Sequence, residues 1–442
     1  MAQKEITVED RTANKKRIFV VLALIFIIAS TGVLIGRWSI VGAEGEGYED
    51  LKVFTEALTM IKKNYVEEAK TKDLVYGAIK GMLSSLDPHS SFLNPEAFKE
   101  MQAETKGEFG GIGIQIGVKE GMLTVIAPIE DTPAYRAGIK AGDKIVKINT
   151  ESTREMSLHD AVSKMRGAPK TSVTITIIRE GWKETKDFIL VREIIKIKSV
   201  KSKLLEEGIG YVRINQFQEQ TAADLSSALE KLKQENINSL VLDLRNNPGG
   251  LLNSAVSITS QFLPPNKLVV YIKGKKGDRT EYNTSDERPN YDVPMIVLVN
   301  EGSASASEIV AGALKDWNRA VILGAKTFGK GSVQSVIPLS DGSGLRLTTA
   351  IYYTPKGTSI QATGILPDIV VKLEAKEKGK EHPVIREKDL ERHLENNEDK
   401  EEPKEPEEMA PIEVEEKDDA QLQRAIDLLK TWKVFKELPK AS

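Results

Sequence analysis

The chain contains no cysteine. Disulfides, thiolate-bound zinc, iron–sulfur clusters and a cysteine nucleophile are therefore excluded. The redox compartment stays open, because an exported protein can do without disulfides. Histidine is scarce: His89, His159, His382 and His393 are the four, and none falls between residues 160 and 381. No HExxH and no histidine cluster occurs, so metal-assisted hydrolysis has little to rest on. Lys and Arg number 62 against 65 Asp and Glu, so no basic excess points to nucleic acid. What the chain does have is length and apolar content. Its 442 residues suit about two to four domains, and 40% hydrophobic residues suffice for packed cores.

The one long apolar run lies near the start. Ile18 to Ile35 carries no charge over 18 residues, and Lys15, Lys16 and Arg17 precede it. This predicts a transmembrane signal-anchor over residues 18–36, with 1–17 in the cytoplasm and everything after Gly36 exported. A cleaved signal peptide is the rival, but its apolar region is shorter and ends in small residues; no clear A-x-A follows here.

Beyond the anchor the periodicity changes three times. Leu51, Phe54, Leu58, Ile61 and Tyr65 fall at helical spacing, and a second helix is expected from about Lys72 to Leu86. So small a hairpin must dock on something, and self-association is one candidate. From about Lys106 to Arg192 short alternating strands predict a compact β-rich module. From Ile194 to about Leu373 strands and helices alternate. The apolar runs Ser239–Leu244 and Met295–Val299 suit central strands, which predicts an α/β core with a mostly parallel sheet. After Glu374 charge and proline dominate, the composition of a solvated linker. Ala420 to Leu438 returns to a helix carrying Leu422, Ile426, Leu429 and Trp432, for dimerisation or for packing on its own core.

Three segments can carry chemistry. Asn300 to Glu308 joins a strand to a helix and holds Ser303, Ser305 and Ser307. Such turns place a side chain at the sheet edge and leave backbone N–H groups free for an oxyanion, although serines there also simply cap helices. A nucleophilic serine needs a base. With no histidine nearby, the remaining type is a lysine whose pKa is lowered by burial. Lys330, between Gly329 and Gly331, is the candidate; Lys326 and Lys315 are rivals by position. The stretch Gly324 to Lys330 mimics a P-loop, but Gly331 stands where Ser or Thr should bind magnesium, and an alternating strand pattern follows. The third segment, Leu244 to Leu252, contains Gly249 and Gly250, which either serve a tight turn or aim a second N–H at an oxyanion. In the β module, Gly111, Ile112, Gly113 and Ile114 form either a carboxylate-binding loop or an ordinary glycine turn.

Together, Ser303–Glu308, Thr327–Gln334, Asn247–Gly250 and Leu86–Phe92 resemble the C-terminal processing (tail-specific) proteases, serine endopeptidases with an inserted PDZ domain. The resemblance covers about residues 47–435. It implies Ser305 as nucleophile, Lys330 as base and Gln334 as the residue orienting the lysine. It implies oxyanion donors at Ala306 and in the Gly249–Gly250 turn, with Gly250 preferred. Gly111, Ile112, Gly113 and Ile114 become the loop that reads a substrate's apolar C-terminus. Arg166 resembles a PDZ arginine linked to activation, and Asp316 matches a position near the site with a structural role. No metal or organic cofactor is implied.

The organisation expected is a helical, dimerising region over 47–100, a PDZ domain over 101–192, a peptidase core over 193–373, a charged linker over 374–419 and a docking helix over 420–438. Partners would be protein substrates with free C-termini, the membrane, a second copy of the chain and possible adaptor proteins, with no nucleic acid. The site would lie on the periplasmic side of the cytoplasmic membrane. A non-catalytic, membrane-tethered PDZ scaffold and a nucleotide-dependent envelope ATPase are the competing readings.

Overall fold

The computed structural model describes residues 47–119, 121–206, 208–285, 291–371, 385–396 and 419–437. The expected anchor over 18–36 lies outside them. Among the described residues no helix is long and apolar enough to cross a membrane. The chain divides into two compact units, Met1–Ile79 and Lys80–Ser442. In the first, Gly47–Asn64 is helical as its periodicity predicts, and Leu51, Phe54 and Ile61 on its apolar face are exposed. A second helix spans Thr71–Ser84.

The second unit contains the β module and the α/β core. The module is an antiparallel sheet of Ile114–Lys119, Met122–Pro128, Lys144–Ile148, Ser172–Ile178 and Lys186–Val191, covered by the helix Leu158–Met165. Alternation sends Val173, Ile175 and Ile177 inward, the period-two pattern of a half-buried sheet, and an irregularity between Ile145 and Lys147 turns both Ile145 and Ile148 inward as well. The chain enters and leaves the module through one antiparallel pair, Glu108–Gly111 with Glu193–Lys196. The module is therefore an insertion in the core, closed at its neck.

The core sheet is mixed rather than simply parallel. Val200–Glu206 and Ile209–Ile214 pair antiparallel, and Ser239–Asp243, Met295–Val299, Val321–Gly324 and Ile369–Val370 continue it in parallel. Every residue of Ser239–Asp243 and Met295–Val299 is buried, because both faces are covered. Leu240, Leu242, Val297 and Val299 meet the helices Thr221–Gln234, Leu252–Thr259 and Ala306–Asp316. Val241, Ile296 and Leu298 point the other way, onto Leu422, Ala425, Ile426 and Leu429 of the helix Ala420–Glu437. That helix thus spends its apolar stripe on its own core, while Trp432 stays exposed.

Two further features depart from the expectation. A second, antiparallel sheet joins Ser91–Leu93, Leu268–Gly274, Arg279–Asn283, Ser332–Pro338 and Gly344–Tyr353. Within the stretch expected to be linker, residues 385–396 are folded: Glu387 is fully buried, its N–H donates to the Phe328 carbonyl, and its carboxylate pairs with His89 at 2.7 Å. Charge composition suggested solvent, but this carboxylate is satisfied by His89 and by Gln361 Nε2 at 3.0 Å. A satisfied charge can be buried.

Candidate active site

Parallel strands end together at one edge of the core sheet, and the three chemically suggestive segments leave from there. Asp243 is in register with Leu298, and Val299 with Gly324. The turns that follow these strands therefore meet.

The three serines behave differently. Ser303 is buried and its hydroxyl donates to the Leu244 carbonyl at 2.8 Å. Ser307 is buried and donates to the Asn247 carbonyl at 2.9 Å. Both tie the serine segment to the glycine turn. Ser305, at the N-cap of Ala306–Asp316, is the partly exposed one. Its φ is +54°, a conformation non-glycine residues avoid and one that concentrates at functional sites. Its hydroxyl meets the hydroxyl of Tyr352.

One carboxylate gathers this turn and the lysine loop. Glu308 is fully buried. Its Oε2 accepts from the backbone N–H of Ser305 at 2.8 Å and of Lys330 at 2.9 Å. Its Oε1 accepts from Thr327 Oγ1 at 2.5 Å and Gly329 N at 2.8 Å. Two residues distant in sequence thus share one oxygen atom. Tyr352 adds a second tie, because its hydroxyl also donates to the Lys330 carbonyl. The lysine loop needs its glycines. A Cβ on Gly331 would lie 2.4 Å from Gln361 N, and Gly329 has φ +97°.

Burial is the largest influence on the Lys330 amine and lowers its pKa; Arg346 acts in the same direction, and Glu387, Glu308 and Asp87 oppose it. The rival lysines differ. Lys315 pairs with Asp368 at 3.1 Å and donates to the Leu366 carbonyl, and Lys326 is buried. Asp316 sits at the far end of the serine helix and caps Lys356 N at 2.8 Å, a structural role.

The glycine turn closes the third side. A Cβ on Gly249 would fall 2.8 Å from Ser305 Cβ and 2.9 Å from Ala306 N. Gly249 N–H is used by Asn247 Oδ1 at 2.9 Å. Gly250 bridges Phe217 in parallel: Phe217 N donates to Gly249 O, and Leu251 N to Phe217 O. In such a bridge the N–H of Gly250 itself points away from Phe217. Ala306 N–H, first in its helix, has no intrahelical acceptor. Gln334 sits on the strand Ser332–Pro338, where its amide nitrogen donates to the Ser332 hydroxyl at 2.9 Å.

In the β module, Gly111, Ile112, Gly113 and Ile114 line a groove of about 450 Å³ between the strand Ile114–Lys119 and the helix Leu158–Met165. Its walls are apolar, with Ile126, Leu158, Val162 and Met165. Arg166 is at its rim, stacked 4.6 Å from the Phe109 ring.

The profile of peptidase family S41 matches residues 208–371, that of the PDZ domain 124–179, and that of the activating protease CtpB N-terminal domain 39–97. A carboxy-terminal-processing protease of Bartonella bacilliformis is 42% identical over 420 residues, covering 94% of this chain and 96% of that one. The chain belongs to peptidase family S41. CtpB of Bacillus subtilis, a carboxy-terminal processing protease, is 36% identical over 335 residues, 75% of this chain and 69% of that one. The solved photosystem II D1 C-terminal processing protease is 32% identical with a TM-score of 0.44, covering 72% of this chain and 92% of that chain.

This S41 member is a serine-type peptidase with a PDZ domain. The P-loop resemblance dissolves in its fold: Gly324 ends a strand and Ser332–Pro338 is another, with no helix opening between them. Sequence reasoning missed two residues of the site. Glu308 was readable only as the fourth position of a capping box, Ser305-x-x-Glu308. Tyr352 carried no signal, since only the pairing of Ser332–Pro338 with Gly344–Tyr353 brings it to Lys330.

Proposed function

We propose that this peptidase is a membrane-anchored endopeptidase of the cell envelope that captures protein C-termini in its PDZ groove and cleaves with a Ser305/Lys330 dyad. The observation that carries the dyad is the shared seat of Ser305 and Lys330 on one Glu308 oxygen, with Ser305 the one partly exposed serine of the three. Lys330, whose pKa burial lowers, takes the Ser305 proton in its neutral form, and the serine oxygen attacks a peptide carbonyl. The backbone N–H groups of Ala306 and Gly250 face the developing oxyanion, in the space that a Cβ on Gly249 would fill. The amine returns its proton to the leaving nitrogen, and water then releases the acyl-enzyme. Gln334, the residue the resemblance assigns to orienting the lysine, does so through the strand that follows the lysine loop, where it donates to the Ser332 hydroxyl.

The anchor reading rests on Ile18–Ile35 and the three basic residues before it. They orient the peptidase to the periplasmic side. The exposed apolar face of Gly47–Asn64 suits contact with a second copy of the chain. Ser305→Ala and Lys330→Ala, compared with wild type on unstructured casein, should each lose at least about 10³-fold in cleavage. Equal cleavage by all three would remove the dyad.

A further inference from the structure

We propose that Glu308 is a positioning residue that sets the distance between the Ser305 oxygen and the Lys330 amine. The inference rests on the Ser/Lys reading and adds a residue to it. A capping glutamate ordinarily reaches back to one N–H of its own helix. Glu308 does that for Ser305, but its other three donors come from Thr327, Gly329 and Lys330, on a segment 19 to 22 residues further along. Each oxygen takes two donors, so the carboxylate is saturated. It is fully buried, a place where a carboxylate is costly and where helix capping alone would not need it.

Neither oxygen is directed at the Ser305 hydroxyl among the hydrogen bonds of the described residues, so Glu308 acts through geometry rather than as the base. The charged and titratable groups about it are Lys330 and Tyr352, with Glu387, Asp87 and Arg346 around the lysine.

Two conservative variants separate position from charge. In Glu308→Gln an amide nitrogen replaces one acceptor oxygen. Turned toward Thr327, whose hydroxyl can rotate to accept, it leaves Gly329 N–H without a partner. Turned the other way, it faces the N–H groups of both Ser305 and Lys330. Glu308→Asp keeps the charge but is one methylene too short to span both segments.

The experiment measures kcat, KM and the pH profile of full-length wild type and both variants on casein, normalised to folded protein. It also measures backbone amide exchange at residues 305 and 330. Both variants should lose on the order of 10²-fold in kcat with KM nearly unchanged. The acidic limb of the profile should move to lower pH in Glu308→Gln, because the wild-type carboxyl, pushed up to about 7 by burial, favours protonated Lys330 wherever it is ionised, and should stay in place in Glu308→Asp. Residues 305 and 330 should lose exchange protection together in Glu308→Asp. Wild-type kcat in folded Glu308→Asp overturns the proposal. If neither variant folds, wild type decides: unequal protection at residues 305 and 330 overturns it, and matched protection supports it. Exchange needs no catalysis. Active Ser305→Ala would therefore refute the dyad while leaving the clamp testable.

Discussion

Removing Asp419 should loosen the whole end of the molecule that carries the glycine turn. Arg245, the second residue after the strand Ser239–Asp243, is buried with its guanidinium held from two sides. Asp243 accepts from Nε and Nη2, the latter at 2.7 Å. Asp419 accepts from Nη1 at 2.8 Å and Nη2 at 2.7 Å, and also caps Leu422 N at 3.0 Å. These contacts hold the arginine fully charged despite burial. Asp419→Ala removes two charge-assisted hydrogen bonds, worth roughly 1.5–3 kcal/mol each, and a cap worth about 1 kcal/mol. Asp243 still neutralises the arginine, so the loss should lie near about 3–5 kcal/mol, the range for breaking one side of a buried pair. Total stability of a domain is about 5–15 kcal/mol, so the effect is large. Urea denaturation of wild type, Asp419→Ala, Arg245→Met and the double variant measures it. In the Arg245→Met background, Asp419→Ala should cost only the cap, about 1 kcal/mol. Equal costs in both backgrounds would show that the pair contributes nothing and that the helix is held by Leu422, Ile426 and Leu429 alone.

Lys330→Met should abolish cleavage and stabilise the fold at neutral pH. The folded-state pKa of Lys330 lies below its ordinary value of 10.5, because burial penalises the ammonium. The Lys330 contribution to stability is therefore greatest above pH 10.5 and is lost as the pH falls from there through the lower folded-state value. Methionine has no such loss, so its advantage should be greatest at low pH and vanish toward pH 10.5 in thermal melts; a constant gap would refute a buried, desolvated amine. Gly249→Ala should cost about 1–2 kcal/mol for its left-handed backbone. It should also lower kcat by about 10²–10³-fold, since the methyl occupies the space beside Ala306 N. Unimpaired turnover in the folded variant would place the oxyanion elsewhere.

The parts of the site written in one local stretch were legible. The apolar runs Ser239–Leu244 and Met295–Val299, followed by polar turns, announce buried strands and the edge where chemistry sits. Glycines around Lys330 announce close backbone approach, and Gln361 supplies the neighbour at Gly331. What pairing creates was not legible. The second sheet arises from strands as far apart as Ser91–Leu93 and Gly344–Tyr353, joined by Phe92 opposite Leu345. The strands Ser332–Pro338 and Gly344–Tyr353 alternate weakly because both are only partly buried. Residues 385–396 read as solvated because burial of Glu387 depends on His89, 298 positions earlier.

Under the proposed dyad, the use of lysine rather than histidine follows from how this site is built. A histidine base needs an orienting partner on its second ring nitrogen, and it needs room for a planar ring. Lys330 leaves a tight loop whose backbone N–H groups are already consumed by Glu308 and Gln361. His89 has its Nε2 committed to Glu387. An amine has no tautomer to fix, but it must be neutral. Burial and Arg346 push the Lys330 pKa down, against three carboxylates that favour the charged form. Moving Arg346 away, or exposing Lys330 to water, would raise that pKa and favour the ammonium, which cannot take the Ser305 proton the proposed mechanism requires. Control of this peptidase is therefore expected at the walls around Lys330, which come from the second sheet and from residues 385–396, rather than at Ser305 itself.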